Sequence, residues 1–207
     1  MAAHSIEEKV EQYYSDKVRS FGDSPRGVDW NSEHSQQLRF RQLLKVVANS
    51  SDFSLLDFGC GTGHLLDFMH NLFDSFSFIG FDLSTEMIGH AIEKYGMSEN
   101  TSWLQELKED TKVDYLVSSG LFNVRLDETN ENWKDYIIEN LHSFDKLTNK
   151  GFSFNMLTKY SDKPLMKDYL YYADPMYFFD FCKRNFSRNV ALLHDYELYE
   201  FTIIVRK

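Results

Sequence analysis

The chain has 207 residues, 43% of them hydrophobic and 16% aromatic, and its 32 acidic and 22 basic side chains give a formal charge of −10. That length allows one domain of about 150 residues with a modest accessory part, and the aromatic-rich composition excludes a disordered chain. Residues 1–50 carry seven basic and seven acidic side chains, so the whole acidic excess follows residue 50 and argues against nucleic acid as a partner.

No apolar run approaches the roughly 18 residues of a membrane span, and the start Met-Ala-Ala-His-Ser-Ile-Glu-Glu lacks a charged-then-apolar leader pattern. A cytoplasmic protein without a membrane partner is expected. Cys60 and Cys182 suit a reducing compartment and cannot form a zinc site on their own, so no metal site is expected.

In chain order, residues 5–19 read as a polar amphipathic helix and 21–30, with Gly22, Pro25 and Gly27, as a loop. Residues 32–47 read as a second helix whose apolar face is Phe40, Leu43, Leu44 and Val47, leaving Arg39 and Arg41 off the stripe for polar work. Residues 1–50 form an N-terminal helical cap in this reading, and 51–207 the core.

After residue 50, short apolar runs alternate with helical segments. Strands are expected at 53–58, 77–81, 102–104, 113–118 and 152–157, and helices at 64–73, 85–95, 133–147 and 175–185. The last two apolar segments, 189–194 and 198–206, lie too close together for a crossover helix and must pair as an antiparallel hairpin. The expected fold is α/β: a doubly wound, mostly parallel seven-stranded sheet with a C-terminal antiparallel hairpin.

The strongest chemical signal is Asp57-Phe58-Gly59-Cys60-Gly61-Thr62-Gly63-His64, between the first strand and its helix. Residues without Cβ are needed where the backbone turns sharply and a ligand presses against it, and such a loop delivers the ligand to a helix N-terminus. A plain strand-to-helix turn ordinarily needs one glycine. A dinucleotide fingerprint would require glycine where His64 stands, and a P-loop would require Gly-Lys-Ser/Thr, which is absent. Asp82, about 20 residues on and at the end of the second strand, is placed to accept hydrogen bonds from both ribose hydroxyls. Its alternative is to cap the helix beginning near Ser84.

With Phe81-Asp82-Leu83-Ser84-Thr85-Glu86-Met87, the glycine loop resembles the first two motifs of the class I S-adenosylmethionine-dependent methyltransferases, and the likeness runs over roughly residues 50–207. The resemblance implies a Rossmann-like methyltransferase fold, S-adenosylmethionine as cofactor and S-adenosylhomocysteine as product. It implies cofactor contacts at Asp57 (the amino group), Gly59, Cys60, Gly61, Gly63, Asp82 (the ribose), and Leu83 and Met87 (the adenine). Gln105 or Glu106 stands where relatives contact the adenine amine, and Ser118 and Ser119 end the fourth strand beside the sulfonium.

Neither Ser118-Ser119-Gly120-Leu121-Phe122-Asn123 nor Asn155-Met156-Leu157-Thr158 carries the tetrapeptide by which amino-methylating nucleic-acid enzymes hold a base. The long connection 158–177, rich in tyrosine, is expected to be a substrate lid, with Tyr171 and Tyr172 foremost and Asn155 beside it. Tyr13, Tyr14 and Trp30 are candidates to close the cap. His194, beside carboxylates at the hairpin tip, and His34 are candidate general bases.

A weaker likeness to small bacterial methyltransferases of surface-polysaccharide or secondary biosynthesis points to a small-molecule acceptor. The alternatives are a noncatalytic cofactor-binding partner subunit and an NAD(P)-dependent oxidoreductase; His64 and the terminal hairpin weigh against the oxidoreductase.

Overall fold

The computed structural model describes residues 2–21, 33–48 and 52–207. Two helices, α1 (Ala2–Phe21) and α2 (Glu33–Leu43), come first; a 3-10 turn at Leu44–Val46 follows α2. The strands are β1 (Phe53–Phe58), β2 (Phe76–Phe81), β3 (Thr101–Leu104), β4 (Val113–Ser118), β5 (Thr148–Leu157), β6 (Asn189–Leu193) and β7 (Glu200–Arg206). Between them lie α3 (His64–His70), α4 (Thr85–Tyr95), α5 (Asn130–Leu147) and α6 (Pro175–Asn185).

The strands make one sheet in the order β3-β2-β1-β4-β5-β7-β6. The pairings of β1 with β2 and β4, and of β4 with β5, are parallel, whereas β7 runs against both β5 and β6. Chain order reverses between β1 and β4, and a doubly wound sheet opens its ligand crevice at such a switch point, outside the carboxyl ends of the strands.

Successive strand residues face opposite sides of the sheet, and here both sides are buried. Leu56, Leu116, Phe152, Phe154, Ile203 and Val205 pack with Ile6 and Val10 of α1, Trp133 and Phe144 of α5, and Phe178 of α6. Leu55, Phe78, Val117 and Ile204 pack on the other side with Leu43 of α2, Leu65 and Met69 of α3, and Ile88 of α4. Each such buried side chain contributes about 1.5–3 kcal/mol relative to exposure. Helices therefore cover both faces of a sheet whose strands read as near-continuous apolar runs.

The helix starts follow local capping chemistry. Ser84 accepts a hydrogen bond from the Met87 N–H at 3.2 Å, and Asp174 accepts one from the Met176 N–H at 3.0 Å with Pro175 at the first helical position. Several boundaries differ from the sequence expectation. The 64–73 helix stops at His70, and β5 begins at Thr148, because Thr148 pairs with Val113 across a stretch whose Asn-Lys-Gly reads as a turn. The hairpin strands end at Leu193 and resume at Glu200, leaving a six-residue turn. Among the described residues no helix is long and apolar enough to cross a membrane, and no group of three His, Cys, Asp or Glu side chains could hold a metal.

Candidate active site

A cavity of about 530 Å³ lies at the carboxyl ends of β1, β2 and β4, a volume within the range of small-molecule sites. Its first end is built by two adjacent turns. The N–H groups of Gly59 and Cys60 both donate to the Phe81 carbonyl, at 2.8 and 2.9 Å, which ties the turn after β1 to the end of β2. Asp82 completes the link: its Oδ2 accepts from the Gly61 N–H at 2.9 Å and its Oδ1 from the Ser84 N–H at 3.0 Å. Ser84 rather than Asp82 caps α4, and each Asp82 carboxylate oxygen retains a second lone pair.

Gly59, Gly61 and Gly63 all have positive φ, at 80°, 54° and 87°. Gly61 lines the cavity, but Gly63 does not. A Cβ at Gly63 would sit 2.5 Å from Trp103 Cη2, so this third glycine makes room for the indole rather than for a ligand.

Asp57 lines the cavity while almost fully buried, and no hydrogen bond from the described residues reaches its carboxylate. Burial, with Asp82 adding its charge, pushes the Asp57 carboxyl up to about 8. Asp82 is raised by burial too, against which its bonds to the Ser84 and Gly61 N–H groups pull it down. Burial, then Asp82 and Asp57, push the Cys60 thiol well up, so it stays protonated and is no nucleophile. Leu83 and Met87 also line the cavity, as do Glu7, Val10, Glu11 and Tyr14 of α1 and Tyr136 and Asn140 of α5.

Helix α1 is held across the cavity by polar links, to the start of α4 and to the loop after β4. Ser15 Oγ lies 2.8 Å from Ser84 Oγ, Arg19 pairs with Glu86, and Lys9 Nζ donates to Asp127 and Glu128 at 3.0 and 2.8 Å.

The other end is assembled from separated segments. Arg39 of α2 donates to both oxygens of Glu200 at the start of β7, each at 2.7 Å, and both residues are buried at 7% and 2% exposure. Asn155 Nδ2 donates to the same carboxylate at 2.5 Å, while Asn155 Oδ1 accepts from the Gly120 N–H at 2.8 Å. The loop after β4 is tied to the 158–174 segment through Tyr171 N–H to Asn123 O at 2.8 Å and through Arg125 and Leu126 N–H to Tyr169 O at 3.0 and 3.1 Å. Leu165, Lys167, Tyr169, Tyr172 and Tyr199 form the outer wall.

The structure brings Asp57, Gly59, Cys60, Gly61, Asp82, Leu83, Met87, Ser119, Tyr14 and Tyr172 together around one cavity. It corrects the other assignments. His194 is exposed on the hairpin turn, its ring against Tyr160 and Phe201, and outside the cavity wall; His34 is exposed at the start of α2. Gln105 turns its amide to Thr85 Oγ1 at 2.7 Å, and Glu106 is exposed, because β3 ends at Leu104. Ser118 points into the sheet and donates to the Phe58 carbonyl at 2.9 Å. Tyr171 is buried behind the wall that Tyr172 lines, Tyr13 packs edge-on against Tyr14, and Asn155 is an interior link. Trp30 lies outside the described residues.

Glu7, Glu11, Arg39, Glu200, Lys167, Tyr169 and Tyr199 were not singled out as site residues by sequence reasoning. The α1 residues carried a usable signal: positions 7, 10, 11 and 14 have the spacing of one helical face.

Comparisons with known proteins agree with this geometry. A family described as "Methyltransferase domain" matches residues 55–141. "Putative methyltransferase Rv1506c" of Mycobacterium tuberculosis is 44% identical over 164 residues, which is 79% of this chain and 99% of that protein. Two solved structures share the fold. Synechocystis magnesium protoporphyrin IX methyltransferase with bound SAM has a TM-score of 0.63 at 13% identity, covering 99% of this chain and 97% of the other. The DhpI-SAM-HEP complex has a TM-score of 0.66 at 14% identity, covering 98% of each chain. The fold and the glycine-loop site define a Rossmann-like transferase, and the chain belongs to the class I S-adenosylmethionine-dependent methyltransferases.

Proposed function

We propose that this protein transfers the methyl group of S-adenosylmethionine to an oxygen or nitrogen of a small-molecule acceptor, a sugar or secondary metabolite, held beneath the 158–177 segment. The observation that carries this is the single cavity shared by the glycine-loop end and the tyrosine wall. The residues present fit the cofactor. Asp57 is a buried carboxyl group that a cation would ionise, the free lone pairs of Asp82 suit two ribose hydroxyls, and Leu83 and Met87 offer apolar partners for a flat ring. Ser119, whose buried hydroxyl has no hydrogen-bond partner among the described residues, supplies a further donor.

When bound, the cofactor supplies a methyl group already activated by the positive sulfur. The protein's own work is positional. Gly59, Cys60 and Gly61 would present backbone to the cofactor, Asn155 holds Gly120 and with it the loop after β4, and the wall of 158–177 would keep water from the acceptor. His194 and His34 lie outside the cavity, and the histidine that does line it, His64, belongs to the glycine loop, where its Nδ1 lies 3.2 Å from Thr62 Oγ1.

Calorimetry with S-adenosylmethionine and S-adenosylhomocysteine tests the first half, and no heat at high micromolar protein would count decisively against it. Counting S-adenosylhomocysteine formed over a metabolite panel separates an enzyme from a noncatalytic cofactor-binding subunit.

A further inference from the structure

The cavity is electrostatically polarised along its length. At the glycine-loop end Asp57 and Asp82 face it, with Glu11 of α1 within electrostatic reach of Asp82. Arg39 lies at the other end, where its charge is balanced by Glu200. Lys167 is then the one lysine or arginine of the described lining that forms no ion pair with a carboxylate.

Its placement is built rather than incidental. The Lys167 N–H donates to the Tyr172 hydroxyl at 3.0 Å, and its Nζ lies 5.9 Å from the centre of the Tyr169 ring. Tyr169 and Tyr171, on either side of the next turn, are bonded through their backbones to the loop after β4. Lys167 is exposed on the cavity wall, and its ammonium lies beside the Tyr169 ring rather than against a carboxylate. The nearby acids are otherwise engaged or turned away: Asp162 accepts from the Tyr199 hydroxyl, and Asp168 is exposed.

We propose that the acceptor carries an oxyanion, a carboxylate or phosphate, and that Lys167 selects it. This rests on the methyltransferase reading of the cavity. A cavity with acidic and basic ends orients its two ligands without further contacts: the sulfonium is drawn to the carboxylates and the oxyanion to Lys167, while the reversed arrangement places like charges together. Lys167 is a specificity-determining residue here, acting on binding and orientation, and the flat tyrosine faces take the neutral body of the acceptor.

The test is calorimetric titration of S-adenosylhomocysteine-saturated protein with benzoate, phenyl phosphate, benzamide and benzylamine. The oxyanions are expected to bind about fivefold more tightly than benzamide at low salt, with benzylamine weakest. Whichever of benzoate and phenyl phosphate binds better identifies the kind of oxyanion. Lys167→Met is expected to abolish the preference and Lys167→Arg to keep it, both with unchanged affinity for S-adenosylhomocysteine and unchanged melting. Equal binding of benzamide, a preference for benzylamine, a preference that survives Lys167→Met, or no binding of any probe each overturns the proposal. Failure to bind S-adenosylhomocysteine in the first step would instead overturn the methyltransferase reading.

Discussion

At one end of the cavity the polar groups come from two short turns that lie side by side because β1 pairs with β2; at the other they come from α2, the loop after β4, the 158–174 segment and β7. The first end is fixed by backbone: the glycine-loop N–H groups bond to Phe81 and Asp82 within about 25 residues of chain. The second is fixed by side chains reaching between distant segments, above all Arg39 to Glu200, 161 residues apart. Locally built sites tolerate change elsewhere in the molecule, whereas assembled ones fail when any contributor is lost.

The largest expected effect tests that contrast directly. Arg39→Met leaves Glu200 buried without its counter-charge and should lower the unfolding free energy by about 3–5 kcal/mol in urea titrations. Arg39→Met combined with Glu200→Leu should recover most of it, because the uncompensated charge is gone. A single variant as stable as the parent would mean that the ion pair does not organise this end.

Next comes Asp82→Ala at the locally built end. Loss of a charged acceptor should weaken S-adenosylhomocysteine binding by about 1.5–3 kcal/mol, roughly 10- to 150-fold, with cooperative unfolding retained. Unaltered affinity would move the ribose contact away from Asp82.

Per pH unit a smaller effect follows from Asp57, whose carboxyl stands at about 8 in the folded protein against an ordinary 3.8. Folding takes up a proton between those values. This group's contribution to stability is therefore complete below about pH 4 and is lost as the pH rises through about 8, at no more than roughly 1.4 kcal/mol per pH unit. A cation placed against Asp57 reverses the preference, so cofactor binding near neutral pH should release close to one proton. Calorimetry in buffers of different ionisation heat measures that proton, and Asp57→Asn should abolish both effects.

The smallest changes belong to residues outside both ends. His194→Ala and His34→Ala should leave cofactor affinity and stability within about twofold and 0.5 kcal/mol. A large loss in either variant would bring that histidine back into the site.

The same contrast decides what was legible in the sequence. The glycine loop, Asp82, the Asp174-Pro175 helix start and the terminal hairpin are encoded in neighbouring residues, and each is found where local chemistry places it. Arg39 shows the opposite case. Its position off the apolar stripe of α2 signals a polar task, but nothing near it in sequence names Glu200 as the partner. Tyr171 and Tyr172 differ by one position and face opposite ways, a choice made by the Tyr171 backbone bond to Asn123. Gln105 and Glu106 do not line the cavity although the end of their strand at Leu104 was legible, because the Gln105 amide turns to Thr85 and Glu106 to solvent.

The reversal of β7 also governs where this architecture can vary. The parallel strands β1, β2 and β4 leave the ligand-facing rim through loops that lead on to α3, α4 and α5, so lengthening such a loop disturbs a packed layer. The 194–199 turn instead joins two strands already locked by five residue pairs, from Asn189 with Arg206 to Leu193 with Thr202. It returns to the rim through Tyr199 and Glu200, both in the cavity wall. Insertions or exchanges there alter the acceptor chamber while the sheet keeps its register, which makes this turn the segment where related chains can diverge in substrate with the least structural disturbance.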